Sequence, residues 1–149
     1  MIVTARKLAS ASQRRPRQAD LRRAISTSYY ALFHALAKDA ADLLVGVGTA
    51  RVHKAWVHTY RALEHGFAKN ACKEAKNLGF TAGIGVCDDA FIALQEARHK
   101  ADYDPEARFT RAEALDWLAR AEAAITALRV APRTDRRAFA IQLLLKKRR

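Results

Sequence analysis

Residue types able to do chemistry are concentrated in two short stretches of the chain. In one of them, Ile84, Cys87, Phe91, Leu94, Arg98 and Asp102 fall on a single stripe at helical spacing. The stripe starts apolar and ends in an ion pair, because Arg98 and Asp102 stand four residues apart, where helical side chains meet. Charged groups are rarely buried unless paired, since desolvation costs several kcal/mol per ion. Such a pair has two readings. It is a structural lock that fixes helix register, or it is the floor of a polar pocket in which Arg98 offers its planar fork to a phosphate. Tyr103 adds a hydroxyl beside it, and His99 points about a quarter-turn away, toward solvent.

The other stretch lies on a long helix expected from about Gln18 to Leu44. Leu21, Ile25, Leu32, Leu36 and Leu43 make its core stripe. Arg23, Thr27, Tyr30 and His34 make a second stripe nearly opposite, flanked by Tyr29, Phe33 and Leu44. The outer face of a surface helix is normally charged. This one is narrow and aromatic, so the helix is expected to be covered on both sides, by its own bundle and by a second subunit or partner. The alternative is that Tyr30 and His34 are ordinary half-buried residues.

The elements that must position these groups are helical. The chain has 149 residues with 6 Gly and 3 Pro, and Ala is its commonest residue. A short helix is expected over residues 2–13, ending before Arg15-Pro16. A third helix is expected from Arg51 to Asn77, with a kink at His65-Gly66 and Gly79 as its left-handed cap. Val52, Trp56, Thr59 and Leu63 would form its apolar face. Residues 79–85 read as a glycine-rich loop, and a fourth helix as 86–103. Thr110 and Glu113 form a capping-box pair that opens a fifth helix, with Ala114, Leu118, Ala121, Ile125 and Leu128 on one face. A basic amphipathic helix is expected from Asp135 to Lys147. The fold class is thus all-α, an up-and-down bundle of four to five helices with an extra basic helix. The organisation is a basic segment at 1–16, the bundle at 17–130 and the basic helix at 131–149.

Charge is uneven. Of the net +12, residues 1–23 carry +6 and residues 129–149 carry +7, leaving the body near neutral. Basic ends suit a phosphate backbone or an acidic partner, or serve only as solubilising tails. No apolar run approaches the ~18 residues of a membrane span, and the first residues lack the apolar core of a secretory signal. Cys72 and Cys87 form no CxxC pair, and the five histidines follow no zinc spacing. A cytoplasmic protein without metal, cofactor or membrane is therefore expected. Residues 79–85 match no phosphate-binding glycine motif, and Ser26 and Ser28 have no nucleophile elbow. Lys69, Lys73 and Lys76 line one helix face, usually a solvated one.

Two segments together carry a family resemblance. They are Arg22-Arg23-Ala-Ile-Ser-Thr-Ser-Tyr29-Tyr30-Ala-Leu-Phe33-His34-Ala35, and Ala97-Arg98-His-Lys-Ala101-Asp102-Tyr103-Asp104-Pro105 followed by a Thr-capped Ala-rich helix. In order and spacing this resembles the HEPN family (higher eukaryotes and prokaryotes nucleotide-binding domain), over roughly residues 17–130. The resemblance implies a homodimer, a role in a toxin–antitoxin or defence system beside a minimal nucleotidyltransferase, and binding of a nucleotide or RNA. Catalytic members of that family are metal-independent ribonucleases using an Arg and a His with four to six residues between them. Here positions 103, 104 and 105 hold Tyr103, Asp104 and Pro105, none of which shuttles a proton near pH 7 at its ordinary pKa. Arg51 and His58 fit the spacing, but on another helix. A ribonuclease would then rely on Arg98 with Tyr103 or His34 in place of the histidine. A binding module would use Arg98, Asp102, Tyr30 and Arg23 as its pocket. The remaining reading is a scaffold whose ion pair is only structural.

Overall fold

A computed structural model describes residues 1–11 and 14–148. It contains α1 (Ile2–Ser10), α2 (Gln18–Val45), α3 (His53–Arg61), α4 (His65–Ala75), α5 (Ala82–Tyr103), α6 (Arg111–Val130) and α7 (Arg133–Leu144). No strand occurs among the described residues, so the chain is an all-α bundle. Nor is any helix among them long and apolar enough to cross a membrane.

α2 is the central post, packed by α1, α3, α5, α6 and α7. α5 runs antiparallel to both α2 and α6. Its last turn meets the start of α2, where Arg22 reaches the Ala101 carbonyl, and its first turn meets the end of α6 at Ala127. One end of the core is built of small residues: Ala24, Ala97, Ala101 and Ala114 pack around Leu21 and Ile25. The other end is bulkier, with Tyr29, Leu32, Leu36, Phe91, Leu94 and Leu128. The abundant Ala therefore serves close helix approach as well as helix propensity.

A local signal explains the start of α6. Thr110 Oγ1 accepts from the Glu113 amide at 3.1 Å while Glu113 Oε2 accepts from the Thr110 amide at 2.6 Å, a complete capping box. Gly79 has φ +72° but closes the turn after α4, whose C-cap is Lys76, so it is not the cap of that helix. The first helix ends at Ser10, and Ser12 and Gln13, the end of the expected 2–13 span, lie outside the described residues.

Three expectations need correction. The expected helix over 51–77 is two helices: the chain breaks at Ala62–Glu64 and restarts at His65, so that buried Ala68, Ala71, Cys72 and Ala75 face the core. α3 buries no residue fully, and Val52 is exposed. It is tied to α2 through polar groups instead, with Trp56 Nε1 donating to Asp42 Oδ1 at 2.9 Å. The expected loop at 79–85 is helical from Ala82, because α6 crosses where a side chain would obstruct it. A Cβ on Gly83 would stand 3.1 Å from the Ala127 carbonyl oxygen. The basic helix starts at Arg133 and ends at Leu144, and it packs on the bundle through Phe139, Ala140 and Leu143. α1 packs likewise through Ala5 and Ala9, so neither basic end is a free tail.

Arg22 closes the small-residue end. Its guanidinium donates to the carbonyls of Ala101 (2.8 Å), Asp104 (2.7 Å) and Ala107 (2.5 Å), which holds the turn after α5 against α2. Arg22→Met keeps the stem and removes these charge-assisted bonds. A loss of about 2–4 kcal/mol is expected, read as a melting temperature lower by several degrees.

Asp88 is the buried charge that the pattern of the sequence does not announce. It is 1 % exposed on α5, with Cys72 of α4 against it and Oδ1 without a hydrogen-bond partner. Burial pushes its carboxyl up to about 7. Because the unfolded chain releases this proton near pH 4, stability falls as pH rises from there to about 7 and is level above. Asp88→Asn should flatten that slope, raising the melting temperature at pH 8 while changing it little at pH 4.5.

Candidate functional site

The site is assembled by three helices. α2 contributes Ser26, Tyr29 and Tyr30 on neighbouring turns, α5 contributes Gln95, Arg98, Asp102 and Tyr103, and α4 contributes His65 and Lys69. The apolar part of the α5 stripe is buried as expected, since Ile84, Cys87, Phe91 and Leu94 are each 0 % exposed. One turn later the stripe reaches the surface as Arg98, whose side chain is 13 % exposed.

The Arg98 guanidinium lies 5.3 Å from the Tyr29 ring centre, 5.7 Å from that of Tyr30 and 6.0 Å from that of Tyr103. Aromatic faces at such distances replace part of a cation's lost hydration. Its ion pair is loose by comparison, with Nη1 3.5 Å from Asp102 Oδ2, and Ser26 Oγ donates to the same oxygen at 3.3 Å. The buried Nε has no hydrogen-bond partner among the described residues. Rings thus hold the charge in place while most of its donor edge stays uncommitted.

That edge borders a pocket of about 570 Å³ lined by Lys69, Gln95, Arg98, His99, Lys100 and Tyr103, together with Glu96 and Asp104. Tyr103 is 65 % exposed, and its ring lies 4.9 Å from that of His99, so the rim carries two rings. Lys69 pairs with Glu96 at 3.0 Å. Among the described residues no group of His, Cys, Asp and Glu could hold a metal ion.

Of the residues singled out in the sequence, Arg98, Asp102, Tyr103 and Tyr30 come together. His34 and Arg23 do not join them. Arg23 is exposed on α2. His34 stacks on Tyr30 at 6.1 Å, with Nδ1 2.7 Å from the Tyr60 hydroxyl, and borders a separate groove with Ile2 and Lys38. Tyr30 and His34 are half-buried on α2, against His65 of α4 and Tyr60 of α3 in the same chain, as the alternative reading has it.

Besides His99, the Arg98 charge reaches a second histidine, His65. Its Nδ1 stands 2.5 Å from the Tyr29 hydroxyl, and its ring stacks on Phe33 at 4.2 Å. Burial, then the Arg98 charge, then His34 hold its pKa below the ordinary histidine value, so it is neutral at pH 7. Burial also keeps the Tyr29 phenol protonated far above the usual range. The sequence marked His65 only as a kink, because a pairing across 36 residues has no local spacing to betray it. Arg98→Gln removes a cation beside His65 and should raise the pKa of that ring, read as its imidazole titration by NMR. No change would place the two groups out of electrostatic contact. No protein-family model, curated protein or solved structure matches the chain.

Proposed function

We propose that this chain is a HEPN-like binding module that holds the phosphate of a nucleotide or of RNA in the Arg98 pocket. In this reading it works as a homodimer in a toxin–antitoxin or defence system, beside a nucleotidyltransferase partner. The observation that carries the reading is the state of Arg98: a guanidinium against three tyrosine rings, with a single carboxylate partner at 3.5 Å, on the wall of the pocket. A guanidinium with so few partners suits a bidentate phosphate. Lys100 and His99 add donors, and the Tyr103 ring offers a base a stacking surface worth about 1–3 kcal/mol. The volume lies within the range of about 300–1,000 Å³ usual for ligand pockets.

A second reading, a metal-independent endoribonuclease, is favoured by His65. A neutral imidazole joined to Arg98 through Tyr29 could serve as a general base while Arg98 stabilises developing charge. In the third reading the Arg98–Asp102 pair is only structural.

One set of assays separates the three. Calorimetric titration with adenosine monophosphate should give binding that weakens at least about tenfold in Arg98→Gln, a loss of ~1.4 kcal/mol or more. RNA incubated in EDTA should remain intact. Cleavage abolished by both Arg98→Gln and His65→Ala would turn the reading to the enzyme. Absence of binding, with Arg98→Gln only destabilised, would leave the scaffold.

A further inference from the structure

α4 is walled by a recess on each flank. On one side is the Arg98 pocket, to which α4 contributes Lys69. On the other is a groove of about 420 Å³ between α4 and the segment following α7, where Phe67, Asn70 and Glu74 face Lys146, Lys147 and Arg148. The cations there are paired at the exposed surface. Lys146 lies 3.7 Å from Glu64 and 5.7 Å from the centre of the Phe67 ring, and Lys147 lies 3.0 Å from Glu74. All four of these charged side chains are more than half exposed, so their pairings are worth little and can be exchanged for a stronger anion. The groove thus repeats, more openly, the composition of the Arg98 pocket: cations, an aromatic ring and an amide side chain.

We infer that this groove is a second phosphate subsite, and that the ligand of the protein is a single strand of several linked nucleotides crossing the α4 ridge. The inference rests on the reading of the Arg98 pocket given above. Charge complementarity favours a polyanion, since Lys146, Lys147 and Arg148 follow one another with no acid between them. Spacing favours a strand over a mononucleotide. A helix with its side chains is about 10–12 Å across, too far for the phosphate of one nucleotide to reach both recesses but within the span of a few linked nucleotides. A single strand can also bend over a ridge and enter a recess on each side, stacking bases on the rings at Tyr103 and Phe67.

The test uses the full chain, fluorescently labelled ten-nucleotide RNA and DNA single strands, and adenosine monophosphate. The variants are Lys146→Gln/Lys147→Gln/Arg148→Gln together, Arg98→Gln, and Arg6→Gln as a charge control on α1, whose partner is Glu122. The triple variant should bind the mononucleotide as the parent does and the strands at least about tenfold more weakly. Its slope of log affinity against log salt should be smaller by about 2, the value for three phosphate contacts on a single strand. Arg98→Gln should weaken both ligands, and Arg6→Gln neither. The RNA and DNA arms show which strand is preferred. Unchanged strand affinity and slope in the triple variant would overturn the inference. So would a parent protein that binds the mononucleotide but not the strands, and that result would leave the Arg98 pocket standing. A parent protein that binds none of the ligands would end both.

Discussion

The seating of Arg98 on a layer of rings is the interaction on which the site depends. Its charge is carried nearly out of water at the end of an otherwise apolar stripe, where a lone carboxylate at 3.5 Å is weak compensation. The rings of Tyr29, Tyr30 and Tyr103 supply the rest. The position of Tyr29 follows from packing deeper in the bundle. Tyr29 is fully buried, meets Phe91 and Phe33 at 5.5 and 6.0 Å, and is tied at its hydroxyl to His65. A polar group at the surface is thus fixed by the hydrophobic effect acting one layer below.

The same layer links helices remote in sequence. Trp56 stacks on Tyr60, Tyr60 on His34, His34 on Tyr30, and His65 on Phe33. α3 has no buried residue of its own. It is held by rings and by the Trp56–Asp42 hydrogen bond, whereas α4 is held by small buried residues against α5. The two short helices are therefore fastened by different physics, although they are neighbours in the chain.

The fold was legible because its signals are local. Helical spacing gave the buried stripes of α2, α5 and α6, and Thr110 with Glu113 gave the start of α6. Arg98 and Asp102 were legible as a pair for the same reason. What could not be read is contact across the chain. Gly83 looks like a loop residue until α6 is seen crossing it at Ala127. Nothing in the segment around Asp88 marks its burial beside Cys72 of α4. His65 becomes a neighbour of Arg98 only when α4 is laid beside α5, and His34, which shares a segment with Tyr30, pairs with Tyr60 of α3 instead. Spacing along one helix shows which residues share a face, but not which face of another helix meets it.

The anchoring of Arg22 has an electrostatic consequence for the pocket it does not line. The pocket lies along the last turns of α5, where the aligned peptide dipoles leave roughly half a negative charge on the terminal carbonyls. Such an end repels anions. Arg22 places a full positive charge against the Ala101 and Asp104 carbonyls, so the macrodipole is neutralised from behind. The potential felt by a ligand beside Lys100 and Tyr103 is in this way set partly from outside the cavity, by a side chain that a survey of its walls would overlook.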